Sequence, residues 1–154
     1  MKQVVILFLI ICAVCYSCTH ECQRADAHIA LVSFLPEETA AVIVRKFEKN
    51  SGFAIMIDTL YLSRPAGTYQ HQGDTVAIFA SWGTDRGLLS IYDYEIYLPA
   101  VSRLYRVTEI TEAQESMNVT LSCTKEECLN TIRSYKVNGQ LMNGNSEYAF
   151  YLVK

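Results

Sequence analysis

The sequence predicts an all-β protein, an antiparallel immunoglobulin-like β-sandwich of seven to nine strands. Short runs rich in Val, Ile, Thr and Tyr recur along the chain and are separated by turn residues. Polar and apolar residues alternate in several of these runs, which is typical of antiparallel strands with one face in water. The three prolines lie between the runs, where a missing backbone donor costs nothing.

The predicted elements follow one another at short intervals. The expected strands are residues 28–34, 40–47, 53–62, 75–82, 88–98, 104–112, 116–122, 131–137 and 147–153. Proline and glycine predict a loop at 64–74. Asn and Gly predict a turn connection at 138–145, because both tolerate positive φ. One short helix is expected at 125–132, where Thr124 is a suitable N-cap.

Two of the predicted strands show most clearly which residues share a face of the sheet. The run 88–98 places apolar and aromatic residues on one face and leaves Asp93 and Glu95 on the other, which is expected to be solvated. The run 75–82 groups Val76 and Ile78 with Ala80 and Trp82 on one face. The main alternative fold is a closed antiparallel barrel of the lipocalin kind, in which this second face would line a cavity.

The beginning of the chain has the pattern of an export signal. Lys2 supplies a positive charge, residues 4–14 form an apolar run, and Ser17 is a small residue at a cleavage position. Eleven apolar residues are too few to span a bilayer core, which needs about 20. The expected organisation is a signal peptide at 1–17, a polar tether at 18–26 and a single domain at 27–154.

The sequence Cys15-Tyr16-Ser17-Cys18 resembles the lipobox of bacterial lipoproteins, in the loose form typical of Bacteroidetes-type bacteria. The runs 92–99, 105–110 and 123–139 are also similar to small lipoproteins of these bacteria. The resemblance implies that Cys18 receives a lipid. It also implies an outer-membrane location, because Thr19 is not the Asp that retains lipoproteins at the inner membrane. The alternative is ordinary cleavage near Ser17 that leaves Cys18 as a plain thiol.

Charge and cysteine content limit the expected ligands. With 16 acidic against 13 basic residues and no basic block, the chain predicts no nucleic-acid partner. Cys123 and Cys128 are the favoured disulfide pair in an oxidising compartment, and the alternatives are Cys22 bonded to one of them or no bridge. Two thiols do not complete a zinc site, so neither a metal nor a cofactor is expected.

The pattern of chemically active residues argues against catalysis. Asp93 and Glu95 are two apart on a strand, so their side chains are roughly 7 Å apart, a separation that glycoside hydrolysis can use. On a solvated face, however, nothing would tune either carboxyl group for acid or base chemistry. The sequence therefore predicts that the protein is not an enzyme.

Aromatic residues supply the candidate ligand platform. Tyr97 and Tyr105 flank a tight connection and are expected to meet across a hairpin, while Tyr69 and His71 lie in a polar loop of the kind that binds sugars or peptides. The alternative is that the aromatic residues only pair across strands, which contributes roughly 0.2–1 kcal/mol per pair. The expected function is non-enzymatic binding of an envelope protein or a glycan at the membrane. The alternative is a barrel-type carrier of a small apolar ligand.

Overall fold

The computed structural model describes residues 18–21, 24–63, 65–71, 73–79, 87–113, 116–119, 130–144 and 149–154. These residues form two main sheets that pack as a β-sandwich and are not closed into a barrel, so the predicted class is confirmed and the barrel alternative is wrong. The expected signal peptide, Trp82, the three candidate disulfide cysteines and residues 125–129 of the expected helix lie outside the described residues.

The described residues hold thirteen strands and one 3-10 turn, Pro99–Val101. The strands are β1 Cys18–Glu21, β2 Asp26–Val32, β3 Val42–Glu48, β4 Met56–Leu62, β5 Gly67–His71, β6 Asp74–Phe79, β7 Leu88–Leu89, β8 Tyr92–Leu98, β9 Arg103–Ala113, β10 Ser116–Val119, β11 Thr131–Val137, β12 Gln140–Asn143 and β13 Ala149–Val153.

The larger sheet has the order β12-β11-β9-β8-β3-β4, and every neighbouring pair is antiparallel. The smaller sheet has the order β13-β2-β6-β5, with the short β7 also paired to β2. Its β13–β2 pair is parallel, an exception to the expected antiparallel arrangement. Strands β1 and β10 form a separate two-stranded sheet, so the backbone of the expected tether is paired at Cys18–Glu21.

The strand number exceeds the expected seven to nine because two expected connections and the expected tether contain strands, and one expected strand is divided in two. Asn138 and Gly139 have φ values of 50° and 83°, which turn the chain tightly enough for β12 to return along β11. Gly73, with φ 92°, does the same between β5 and β6 inside the expected 64–74 loop. The single strand expected at 88–98 is divided by a turn into β7 and β8, and residues 131–132 of the expected helix belong to β11.

The core lies between the two sheets and is built around aromatic rings. Tyr94 on β8, Tyr135 on β11 and Phe150 on β13 are at most 1% exposed, and the Phe150 ring centroid is 4.9 Å from that of Tyr135. Burial raises the pKa of both tyrosine hydroxyl groups above the ordinary value for tyrosine. The two hydroxyl groups therefore stay protonated at alkaline pH where an exposed tyrosine begins to ionise, and they keep their hydrogen bonds inside the fold.

Strand β6 presents the opposite face to the core from the one expected. Ala77 and Phe79 lie in the main core, whereas Val76 belongs to a second cluster and Ile78 packs against that cluster. The reason is that the strand is apolar on both faces, so alternation alone does not fix its side. The face that the carrier alternative assigned to a ligand cavity is therefore not directed at the space between the two main sheets.

Candidate functional site

The candidate site lies at strand β13, which forms one edge of the smaller sheet. An edge strand has backbone donors and acceptors without a neighbouring strand. Two tyrosines of the larger sheet meet this edge. The hydroxyl of Tyr135 accepts a hydrogen bond from the backbone N–H of Tyr151 at 2.9 Å, and the hydroxyl of Tyr105 donates one to the carbonyl of Val153 at 2.7 Å. These two bonds join the sheets at one side of the sandwich.

An open groove of about 570 Å³ lies along this junction. One wall comes from the start of β9, a second from the β11–β12 hairpin, and a third from the end of β13. The groove is lined by Arg103, Leu104, Tyr105, Val137, Asn138, Gln140, Met142, Tyr151, Val153 and Lys154. The lining therefore combines two tyrosines, two cations and two side-chain amides with four aliphatic or thioether side chains.

The charged groups of the groove are held by specific contacts. A terminal nitrogen of Arg103 donates a hydrogen bond to the Tyr105 hydroxyl at 3.3 Å. The Lys154 ammonium contacts both carboxylate oxygens of Glu38, at 2.6 and 2.7 Å. The hydrogen bond from Lys154, together with one from the backbone N–H of Leu35, holds the pKa of Glu38 below its ordinary value. Lys154 is thus balanced by Glu38, and Arg103 supplies the groove's other positive charge.

An aromatic cluster adjoins the groove on the outer face of the smaller sheet. It consists of Tyr69, His71 and Tyr151. The hydroxyl groups of Tyr69 and Tyr151 are 2.9 Å apart, and the His71 ring centroid is 6.4 Å from that of Tyr69 and 6.0 Å from that of Tyr151. Tyr69 and Tyr151 also pack against the second apolar cluster, which includes Val76. Tyr151 belongs to both the aromatic cluster and the groove.

The structure brings Tyr69 and His71 into contact with each other and places Tyr105 apart from them, in the groove. Tyr69 and His71 lie in the aromatic cluster, and Tyr105 lines the groove beside Tyr151. Tyr97 lies in neither place. It is opposite Leu104 in the sheet, whereas Tyr105 is opposite Ile96, so Tyr97 and Tyr105 point to opposite faces and do not meet. The expectation of contact across the hairpin was wrong by one residue of register.

Several residues of the groove were not predicted from the sequence. Tyr151 carries the clearest missed signal, because the apolar neighbours Phe150 and Leu152 alternate with it and therefore place it on the outer face. Arg103, Gln140 and Lys154 carry no such signal. They are far apart in sequence, and only the packing of β9 and β12 near β13 brings them to the same groove.

The two carboxylates of β8 are buried, contrary to the expected solvated face. Asp93 and Glu95 are 3% and 8% exposed. Glu95 forms ion pairs with Arg106 at 3.0 Å and with Arg45 at 3.5 Å, and Asp93 accepts a hydrogen bond from the backbone N–H of Asn50 at 2.8 Å.

The burial of these carboxylates has a tertiary cause. The connection between β3 and β4 folds back onto the outer face of the larger sheet. There the Phe53 ring packs on Phe47 at 5.2 Å, and the Arg106 guanidinium lies 4.8 Å from the Phe53 ring. Arg106 is thereby held between Phe53 and Glu95, so Glu95 has a defined structural contact.

The remaining candidates are placed as follows. Cys18 begins β1, and its backbone is opposite Val119 of β10. Cys22, Cys123 and Cys128 lie outside the described residues, so the disulfide remains a prediction. Within the described ranges, no three His, Cys, Asp or Glu side chains are grouped to hold a metal ion. In the same part of the chain, no helix has the length and apolarity needed to cross a membrane.

Comparison with known proteins adds no relative. No protein-family model matches the chain, and neither a curated protein nor a solved structure matches it significantly.

Proposed function

We propose that this chain is a non-enzymatic binding protein of the bacterial cell envelope, anchored to the outer membrane through a lipid on Cys18, whose groove binds a glycan chain. The observation that carries the proposal is the composition of the groove, in which Tyr105 and Tyr151 lie beside Arg103 and the amides of Asn138 and Gln140. Convergent aromatic and polar groups in one concave surface are typical of ligand sites.

The chemistry of this lining suits a saccharide. A sugar ring has an apolar C–H face and a rim of hydroxyl groups, so it needs flat aromatic or aliphatic surface together with donors and acceptors. Tyr151, which is partly exposed, offers both a flat ring and a polar end, whereas Tyr105 is 5% exposed and mainly fixes the groove through its hydrogen bond to Val153. Asn138, Gln140 and Arg103 add hydrogen-bonding groups along the same groove. The Arg103 guanidinium favours sugars that carry a carboxylate, which it can bind with two parallel hydrogen bonds.

The shape of the site also favours a chain over a small enclosed ligand. The groove is open to solvent at the side of the sandwich, so a ligand that is longer than the groove can extend beyond it. A groove of about 570 Å³ falls within the usual range for ligand sites. Its β11–β12 wall is short, since β12 spans only Gln140–Asn143.

We predict that Arg103→Ala weakens glycan binding about tenfold or more, since a lost charge-assisted hydrogen bond corresponds to roughly 1.5–3 kcal/mol. The measurement is isothermal titration calorimetry of the mature protein with a panel of neutral, amino-sugar and uronic-acid oligosaccharides. Arg133→Ala is the matched control, because Arg133 is also exposed but does not line the groove. Equal affinity of both variants for a bound oligosaccharide, or no binding across the panel, would contradict the glycan proposal.

The membrane anchor is tested separately from the groove. We expect protein isolated from native membranes to begin at Cys18, because the lipobox-like sequence ends there. We also expect it to carry more than one acyl chain, because a single chain anchors a protein only marginally. Intact and peptide mass analysis without reduction makes this measurement. An unmodified N-terminus near Cys18 in the soluble fraction would remove the anchor from the proposal. The same spectrum shows whether Cys123 is bonded to Cys128 or to Cys22.

A further inference from the structure

We propose that strand β4 is a self-association surface, through which two copies of this chain pair edge to edge into one continuous antiparallel sheet. Strand β4 (Met56–Leu62) is the last strand of the larger sheet, and β3 is the only described strand that pairs with it. Its outer edge is therefore without a described neighbour along seven residues. Long exposed edges of this kind are templates for pairing with another strand.

The strand and the residue before it expose a large apolar surface. Ile55, Met56 and Ile57 are 53%, 58% and 48% exposed, and Leu60 and Tyr61 are 37% and 74% exposed. Together these side chains expose on the order of 600 Å² per copy, so two copies approach the ~1,200 Å² at which specific interfaces begin. Exposed apolar side chains concentrated on one edge strand mark an interaction site.

The cause of this exposure is the unequal width of the two sheets. The larger sheet has six strands in its path and the smaller one four. Leu60 lies opposite the inward-facing Val44, yet it is more than one-third exposed, whereas Val44 is 2% exposed. The sandwich thus leaves β4 incompletely covered on its inner face, while Ile57 and Tyr61 are exposed as well.

The devices that usually protect an edge are scarce on β4. The strand contains neither Lys nor Pro, and Asp58 is its single charged residue. The Asp58 carboxylate accepts a hydrogen bond from the backbone N–H of Thr59 at 2.8 Å, so it is drawn back along its own strand. The register shift between Lys46 and Phe47 places a bulge at the beginning of β4 and leaves 58–62 regular.

A second copy is the occupant that this sequence fits, because antiparallel pairing of identical strands is an isologous contact that closes with twofold symmetry. A pair centred on Thr59 includes all seven residues of β4 and places Met56 opposite Leu62 of the second copy, Ile57 opposite Tyr61, and Asp58 opposite Leu60. Each Asp58 carboxylate then faces a leucine, and no like charges are directly opposite each other. Strand β12, which borders the groove, lies at the other edge of the same sheet, so both grooves stay accessible.

The experiment is sedimentation velocity of the mature chain without its lipid, over a concentration series, for the natural protein and two variants. Tyr61→Lys introduces a charge on the proposed interface, and Leu141→Lys makes the same kind of change on the opposite edge strand, where Leu141 is 64% exposed. We expect a dimer for the natural protein and for Leu141→Lys. For Tyr61→Lys we expect the dimer dissociation constant to rise at least tenfold.

Two further readouts keep the test decisive. Amide hydrogen exchange should show protection of residues 58–62 that increases with protein concentration. If Tyr61→Lys does not fold, as judged by circular dichroism, Met56→Lys replaces it, since Met56 is 58% exposed. A natural protein that stays monomeric at about 100 μM, well above the micromolar range of specific complexes, overturns the proposal. A dimer that Tyr61→Lys or Met56→Lys leaves intact overturns it equally. No glycan is present in this test, so its outcome is independent of the groove.

Discussion

Replacing Phe150 with Ala is expected to lower the free energy of unfolding by about 3–5 kcal/mol, the usual cost of removing a buried aromatic ring. Phe150 is 0% exposed and lies where the two sheets meet. Its ring centroid is 4.9 Å from that of Tyr135 and 6.5 Å from that of Tyr94. Both tyrosines are fixed through their hydroxyl groups, so they cannot move freely into the vacated space.

The measurement is urea-induced unfolding of the protein at fixed pH. Val153→Ala is the control on the same strand. Val153 is 55% exposed, so its truncation should change the free energy of unfolding by only about 0.5 kcal/mol. Domains of this size are stable by roughly 5–15 kcal/mol, so Phe150→Ala removes a large part of the total. A loss below about 1 kcal/mol would show that the two sheets are not packed through this ring.

Replacing Glu112 with Ala is expected to lower the free energy of unfolding by about 2–4 kcal/mol, because it leaves several partly or fully buried donors without their acceptor. The Glu112 carboxylate accepts hydrogen bonds from the backbone N–H of Ala25 at 3.2 Å, from the Ser90 hydroxyl, and from the Asn130 amide at 2.9 Å. Ser90 and Asn130 are 3% and 6% exposed. This one side chain therefore connects the segments before β2, β8 and β11 to β9.

Two other variants separate the loss of these bonds from a general effect of removing a carboxylate. Glu112→Gln keeps an acceptor oxygen at the same place, so its cost should be about half that of Glu112→Ala or less. Glu109→Ala also changes a glutamate on β9, but Glu109 is an exposed residue paired with Lys136 at 2.7 Å, and such surface pairs contribute roughly 0–1 kcal/mol. If Glu109→Ala and Glu112→Ala had equal effects, the Glu112 network would have no special role.

Strand identity could be predicted from the sequence wherever composition and alternation agree. Strand β9 lies within one residue of its expected limits, β8 ends where it was expected to end, and the inward face of β8, with Tyr94 and Ile96, was predicted correctly. The missed strands β5 and β12 are short and lie beside Gly73 and Gly139. Glycine and asparagine mark both a loop and a tight hairpin, and the sequence does not distinguish the two without knowledge of the neighbouring strand.

Burial of the polar residues could not be predicted in the same way. Asp93 and Glu95 alternate with apolar residues, which is the pattern of a solvated face. They are buried because Arg45 and Arg106 pair with Glu95 and because the β3–β4 connection covers the sheet. Those contacts join residues that are between 11 and 50 positions apart, and local alternation carries no information about them.

For the candidate site, too, local sequence patterns predicted some features and long-range packing decided the others. The sequence by itself determined the all-β class and most of the strands, because side-chain alternation and turn chemistry are local properties of the chain, while the role of Tyr69, His71 and Tyr105 in binding stays a prediction. Only the tertiary structure decided that Tyr97 is excluded, that Tyr151 joins the aromatic cluster to the groove, and that β4 is left as an apolar edge. These features depend on strand order and register, which are set by long-range packing between the two sheets.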